Sequence, residues 1–431
     1  MVVLNTTTII GQCNSLRRIS PVGFVDQLVA ERLGGRNFGE KAETYKFALI
    51  KEAKARARKE NPGLEIIDMG IGEPDKPAPG ELAEILGREA AKPENRFYSD
   101  NGIPEFYEAA AMYLKKVYGL DGIDPGRHIL HGIGSKPILA LLPAAFINPG
   151  DLALVTVPGY PVLGAWTRYM GGDVYPLPLT RENSFYPDLD AIPEEVLERA
   201  KLLYINYPNN PTGQVATCAF YQKVVEFALS RRIIVVSDAA YGALVYDGNR
   251  PLSLLGVDGG MEAGVEIHSL SKAFNMTGWR MAFAVGNPKI IQAYGIVKDN
   301  TDSGQFRAIQ KAGIHAMNHP GITEVLCEKY SRRLDMLVEA LRELGFDARK
   351  PGGTFYCYVP CPKGAGNGIR FHSAAYAAAW LVENAGISVV PWDDAGAYLR
   401  FSVTFEADTV EDEKRIIQEM KRRLARLELI F

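Results

Sequence analysis

The stretch that decides the fold runs through Leu202-Leu-Tyr-Ile-Asn206, the turn Tyr207-Pro-Asn-Asn-Pro-Thr-Gly213, an amphipathic segment over 220–232 and Ile233-Ile-Val-Val-Ser-Asp238. Two short apolar, β-rich runs flank a segment in which Phe220, Val224, Phe227 and Ala228 recur at helical spacing. Parallel strands require a crossover of this kind, because a tight hairpin returns the chain antiparallel. Outward from it, the runs 152–157, 265–269 and 281–285 repeat the strand pattern between longer helical segments. This alternation predicts an α/β chain with a mainly parallel sheet covered by helices.

Hydrophobic residues make up 47% and charged residues 23% of the 431 residues, the balance of an ordinary globular protein. That length exceeds one typical domain, and no Ser/Gly linker or charge block divides it, so two interlocked domains are expected. A formal net charge of -3, with Lys and Arg scattered outside the last helix, gives no footprint for nucleic acid. The cysteines (Cys13, Cys218, Cys327, Cys357, Cys361) lack C-x-x-C spacing and the histidines lack H-E-x-x-H. Reduced thiols and no metal site are therefore expected. The first 18 residues lack a basic region followed by an apolar stretch, and no segment reaches the ~18 apolar residues that span a bilayer, so the expectation is a soluble, cytoplasmic protein.

Near the C-terminus, Asp408-Thr409 and the acids after it precede Ile416, Ile417, Met420, Leu424 and Leu427 on one helical side, with Lys421, Arg422, Arg423 and Arg426 at the end. Acidic start and basic finish suit the helix dipole, and the basic cluster reads as a solvated face. The Gly-rich stretch 363–368 reads as an exposed loop, and the stretch up to about residue 42 as an irregular arm. Gly70-Ile-Gly72 and Gly132-Ile-Gly134 do not continue as a nucleotide fingerprint.

Three features fall at the C-terminal ends of expected strands, where open α/β sheets bind ligands: Asn210, Asp238, and Lys272 in Ser269-Leu-Ser-Lys272. Together they match the needs of pyridoxal 5′-phosphate. Lys272 supplies the amine for a Schiff base, once burial and nearby positive charge lower its pKa. Asp238 ends an apolar run, where a lone carboxylate would be costly, and a protonated pyridine nitrogen would pair with it. Asn210 and Tyr241 suit the phenolic oxygen, and Tyr160 in Val157-Pro-Gly-Tyr-Pro161 can lie on the ring face. For the phosphate, Gly134-Ser135-Lys136 opens an apolar helix whose free N–H groups attract anions, with Ser269, Ser271 and Arg280 adding donors. Taken singly, Pro-Asn-Asn-Pro-Thr-Gly is a turn and Lys272 a surface charge; the set together carries the reading.

From Gly70-Ile-Gly-Glu-Pro74 to Arg400-Phe-Ser402 the chain resembles the fold-type I, class I/II pyridoxal-phosphate aminotransferases. The motifs Asn-Asn-Pro-Thr-Gly, Asp-x-x-Tyr and Ser-x-Ser-Lys-x-x-x-x-x-Gly-x-Arg carry the likeness, in this order. It implies an aspartate-aminotransferase-like fold: an N-terminal arm over 1–42, a small α+β domain from 43–75 and 326–431, and a large cofactor-binding domain over 76–325. It also implies that Lys272 is the Schiff-base lysine and proton shuttle, and that Arg400 and Gly72 hold the substrate α-carboxylate. Family members are homodimers in which a tyrosine crosses to the other subunit's phosphate, and Tyr98 matches it.

Within the class, Tyr45-Lys-Phe47, Ser135-Lys136 and Pro-Asn-Asn-Pro-Thr-Gly are similar to the LL-diaminopimelate aminotransferase group, which places Tyr45 at the substrate. After Tyr98 the chain departs from that group's Gly-Ala-Glu-Gln-Gly, reading Ser-Asp-Asn-Gly: the acid expected to recognise the distal amino group is missing or replaced by Asp100, and Asp302 stands roughly where an asparagine from the partner is expected. The implied reaction is amino transfer from LL-2,6-diaminopimelate to 2-oxoglutarate, in lysine biosynthesis. Alternatives are transfer from alanine, aspartate or aromatic amino acids, or a lyase or replacement reaction on an S-adenosylmethionine-like substrate. A cofactor-bound regulator would need a DNA-binding module that the sequence does not display.

Overall fold

A computed structural model describes residues 24–25, 28–39, 46–366 and 368–431. It divides into Met1–Tyr45 and Lys46–Phe431. In the first unit the described part is two short 3-10 turns, Glu31–Leu33 and Gly35–Asn37, joined at Gly34 in the left-handed conformation. Every element considered below belongs to the second unit.

Seven strands form its main sheet: β1 (Ile129–Gly132), β2 (Leu152–Val157), β3 (Asp173–Pro178), β4 (Ala200–Asn206), β5 (Ile234–Asp238), β6 (Gly264–Ser269) and β7 (Ala282–Gly286). Their order is β1-β7-β6-β5-β4-β2-β3. β6, β5, β4, β2 and β3 are parallel, whereas β7 runs antiparallel to both β6 and β1. The mainly parallel sheet expected from the sequence is thus present. Two of its strands gave no clear sequence pattern. β3 is a largely exposed edge strand carrying Pro176 and Pro178, residues that lack the N–H a central strand must donate.

Strand alternation sorts the site from the core. On one face Leu202, Tyr204 and Val236 pack with Ile138, Leu139 and Leu142 of α1 (Ser135–Phe146). On the other, Leu203, Ile205 and Val235 pack with Tyr221, Val224 and Ala228 of α2 (Cys218–Arg231). The side-chain period of two therefore puts Tyr204, Asn206 and Asp238 on the α1 face, at the strand ends. Thr217 caps α2 by accepting from the Phe220 N–H, a contact that contributes about 1 kcal/mol.

A second core gathers α3 (Gly321–Glu343), α4 (Ala374–Ala385) and α5 (Val410–Ala425) around a three-stranded antiparallel sheet. Its strands β8 (Tyr356–Pro360), β9 (Val390–Trp392) and β10 (Tyr398–Ser402) run in the order β9-β10-β8. Cys357, Val359, Leu399 and Phe401 enter this core, as does Tyr356 at the start of β8, while strand alternation turns Arg400 to the opposite face. The expected amphipathic C-terminal helix is α5, opened by a capping box between Thr409 and Asp412.

The Gly-rich stretch expected as an exposed loop is exposed at Lys363 and Gly368 but holds paired structure between them. Gly364–Ala365 is buried and forms an antiparallel ladder with Ile369–Arg370. A β-carbon on Gly364 would sit 2.2 Å from the Ile369 carbonyl oxygen, so glycine here permits backbone approach rather than disorder.

Candidate active site

Lys272 lies in the single helical turn Leu270–Ala273, which follows β6 directly and is capped by the Ser269 hydroxyl accepting from the Ser271 N–H at 3.2 Å. Its ammonium donates to the Gly72 carbonyl oxygen at 2.7 Å. Burial pushes Lys272 down to about 8; Glu73 partly offsets this, and the positive charges of Arg280 and Arg400 add to it. An amine so placed has a usable neutral fraction near neutral pH, the condition for nucleophilic attack on a carbonyl carbon.

Asp238, at the end of β5, is buried. Its oxygens accept from the Tyr204 hydroxyl at 3.1 Å and the Ala240 N–H at 3.1 Å. Burial pushes its carboxyl up to about 6, against the pull of those two donors and of His268. Among the described residues no Lys or Arg forms an ion pair with it, so a cationic group on a ligand would relieve the cost of its charge.

Asp238 gives a prediction for the cofactor-free protein. An acid whose folded pKa lies above its unfolded value of about 3.9 binds its proton more tightly in the folded state. The stability gained is present at low pH, declines from about pH 4 to about pH 6, and leaves a penalty on the order of 3 kcal/mol above that. Asp238→Asn should therefore gain thermal stability relative to the parent as pH rises through this window. A constant difference in unfolding midpoint across pH 4–7, in roughly half-unit steps, would contradict it.

Helix α1 starts without a side-chain cap: Gly134 precedes Ser135 at φ +84°, leaving the first N–H groups free of any side-chain acceptor. Arg280, itself left-handed, donates through Nη1 to the Thr277 carbonyl oxygen at 2.8 Å. A β-carbon on Gly134 would lie 2.3 Å from Arg280 Nη2. The guanidinium therefore lies against the helix start, so that two positive features meet in an arrangement that suits an anion. Ser269 and Ser271 are buried beside it, Ser135 is half-buried and Lys136 is exposed. We expect Gly134→Ala to displace Arg280 and weaken pyridoxal phosphate binding at least tenfold, about 1.4 kcal/mol, in reconstitution titrations of the cofactor-free protein. Unchanged affinity would show that Arg280 does not need this approach.

Arg400 is buried on β10 without an acidic partner among the described residues. Nη1 donates to Asn210 Oδ1 at 2.9 Å and Nη2 to the Gly70 carbonyl oxygen at 3.1 Å, while Nε is buried with no hydrogen bond. An orphaned guanidinium N–H in a buried pocket fits a carboxylate ligand. Asn210 is itself fixed, since its N–H donates to Asn206 Oδ1 at 2.9 Å and Asn206 Nδ2 donates to the Asp238 carbonyl oxygen at 2.7 Å. Tyr241 is buried, with its hydroxyl 2.9 Å from that of Tyr356.

Lys272, Asp238, Asn210, Tyr241, Arg280, Arg400 and Gly72 thus converge, drawn from both sheets. Tyr160 is half-buried and packs against the same apolar cluster as α1. Tyr98 is 78% exposed, its carbonyl oxygen accepting from Arg307 Nη2 at 2.8 Å. Asp302 takes the Lys298 ammonium at 2.6 Å and the Gly304 N–H at 2.8 Å, and the same ammonium reaches the Asp100 carbonyl oxygen at 3.0 Å. Tyr45 lies outside the described residues. Sequence reasoning missed Tyr204 and Tyr356. Tyr204 was findable, since it alternates with Asn206 on one strand face; Tyr356 had no local signal.

The fold and this cluster define a pyridoxal-phosphate enzyme of fold type I. The model of the aminotransferase class I and II family matches residues 65–416, and the chain belongs to that family: it is a pyridoxal-phosphate-dependent aminotransferase. It is 55% identical over 416 residues to the LL-diaminopimelate aminotransferase of Methanocaldococcus jannaschii, covering 95% of this chain and 99% of that one. Identity to the Methanococcus maripaludis protein of the same name is 50% over 413 residues, covering 95% and 99%. Among solved structures, substrate-bound BacF from Bacillus subtilis superposes with a TM-score of 0.82 at 36% identity, covering 91% of this chain and 97% of that one. Among the described residues no helix is long and apolar enough to cross a membrane, and no His, Cys, Asp and Glu cluster could hold a metal ion.

Proposed function

We propose that the protein moves an amino group from LL-2,6-diaminopimelate to 2-oxoglutarate, in lysine biosynthesis. The observation that carries the substrate is the 55% identity to a relative of that name over nearly the whole of both chains. Bound pyridoxal phosphate would supply the carbonyl carbon that accepts the amino group and the ring that takes up the electron pair of the substrate Cα–H bond.

The chain's own residues then divide the work. Lys272 would hold the cofactor covalently, and its buried amine, pushed down to about 8, is the group placed to accept and hand back the substrate Cα proton. Asp238, held in line by Tyr204 and Ala240, would pair with the ring nitrogen. Asn210 and Tyr241 would contact the phenolic oxygen, and Tyr160 would cover the ring. Ser135, Lys136, Ser269, Ser271 and Arg280 would bind the phosphate. Arg400, with the Gly72 N–H, would hold and orient the substrate α-carboxylate, and that orientation decides which bond at Cα is broken.

We further read the enzyme as a cytoplasmic homodimer with the domain limits given above. Exposed Phe97, Tyr98 and Phe306 favour an interface, with Tyr98 reaching the phosphate of a second copy. Because Asp302 is engaged by Lys298, Asp100 is the acid available to cross that interface toward the substrate's distal ammonium. Tyr45 completes the substrate contacts.

A half-reaction screen tests this reading. With no acceptor present, LL-diaminopimelate should give one equivalent of oxo acid per active site and then stop, and aspartate, alanine and aromatic amino acids should give less. Continuous turnover without an acceptor would indicate elimination instead. A preference for another amino acid would move the substrate and leave the chemistry.

A further inference from the structure

We propose that Tyr356 is a positioning residue that joins the arginine holding the substrate carboxylate to the tyrosine facing the cofactor's phenolic oxygen. The inference rests on the roles given above to Arg400 and Tyr241.

Tyr356 opens β8 and is 1% exposed. Its N–H donates to the buried Thr354 hydroxyl at 3.1 Å, which fixes where the strand begins. The Tyr356 ring packs in the buried core beside Phe355 and Tyr241, and the Arg400 guanidinium lies over its face, 3.9 Å from the ring centroid. A buried cation over a ring face is held there by the ring quadrupole. The ring is thus a platform that orients Arg400 while leaving its Nε edge for a ligand.

The hydroxyl acts on the other partner. It lies 2.9 Å from the Tyr241 hydroxyl, and each phenol has one proton to give. If Tyr241 points its proton at the cofactor oxygen, Tyr356 must donate within the pair. Donation into the Tyr241 oxygen polarises that O–H and makes it a stronger donor, as in any hydrogen-bonded chain. The positive charge above the Tyr356 ring sharpens this, and a carboxylate that neutralises Arg400 relaxes it. Arg400 and Asp238 are the charged groups that act on Tyr241. Occupancy of the carboxylate site is therefore felt at the phenolic oxygen through one side chain.

Gly72 makes the room. A β-carbon there would stand 3.2 Å from the Tyr356 hydroxyl and 3.9 Å from Arg400 Nη2, while the Gly72 carbonyl holds Lys272. Tyr356 thus occupies the junction of the three groups that the reaction uses.

The test compares Tyr356→Phe, Tyr356→Leu, Tyr241→Phe, Arg400→Lys and the Tyr241→Phe/Tyr356→Phe double variant as holoenzymes. Two quantities are read: the pH midpoint of the bound cofactor's visible absorbance, and the Kd of pimelate, the diaminopimelate skeleton without its amines. Loss of a donor disfavours the form with a bare negative phenolic oxygen, so Tyr356→Phe should raise the midpoint by on the order of one pH unit. It should leave pimelate affinity within about threefold, because the ring remains, whereas Tyr356→Leu should weaken pimelate about tenfold. In the Tyr241→Phe background, Tyr356→Phe should shift the midpoint no further. The proposal is overturned if Tyr356→Phe leaves the midpoint unchanged while Tyr241→Phe moves it and Arg400→Lys weakens pimelate. If those two controls are also silent, the role assignments themselves fall.

Discussion

Lys272→Ala is expected to lose the cofactor's visible absorbance and to lower amino transfer by on the order of 10^4-fold, the upper range for one acid–base group. The same substitution should leave the cofactor-free fold nearly as stable as before at neutral pH. A lysine whose folded pKa is depressed to about 8 binds its proton more weakly in the folded chain than in the unfolded one. Below about pH 8 its charge therefore costs the fold on the order of 3 kcal/mol, a penalty relieved as pH rises from about 8 toward 10.5. Alanine removes that penalty and also the packing of the lysine stem, two effects of opposite sign. Calorimetry of the cofactor-free proteins should find similar unfolding midpoints at pH 7 and a less stable variant near pH 10. A variant that keeps both the absorbance and turnover would remove Lys272 from the chemistry.

Arg400→Lys should have the next largest effect, because charge is kept while geometry is lost. The guanidinium satisfies Asn210 Oδ1 and the Gly70 carbonyl through two nitrogens and retains Nε for a ligand. An ammonium cannot serve those directions from one nitrogen, and it is more strongly hydrated, so burial suits it less. We expect kcat/KM to fall on the order of 10^2-fold, about 2.7 kcal/mol. The loss should fall on the amino donor and the oxo-acid acceptor alike, since both present a carboxylate. Loss confined to the acceptor half would mean that another cation holds the donor.

The two residues differ in how they could be found. Lys272 was legible because burial and chemistry leave a local trace: Ser-Leu-Ser before it and Arg280 eight residues on. Asp238 was legible for a related reason, as a carboxylate ending an apolar strand must find a partner. Arg400 needed the family likeness, since an arginine in a strand has many structural uses. Tyr356 carries no local trace, being an aromatic residue in apolar surroundings, whereas Tyr204 could be found from its alternation with Asn206 on one strand face. The stretch 363–368 misled for a further reason, because glycine marks close backbone approach as readily as an exposed turn.

By itself the sequence determined the parallel core, through strand and helix periodicities set over a few residues, and the cofactor chemistry, through groups whose burial demands compensation. Which face each strand presents, how Gly134 brings a helix N-terminus to Arg280, and how Tyr356 bridges Arg400 and Tyr241 were decided only by tertiary structure. These are distances between residues as much as 146 positions apart, as Gly134 and Arg280 are. Pairing of strands far apart in sequence sets that last distance, Gly132 lying opposite Ala282 between β1 and β7, and no local propensity encodes that pairing.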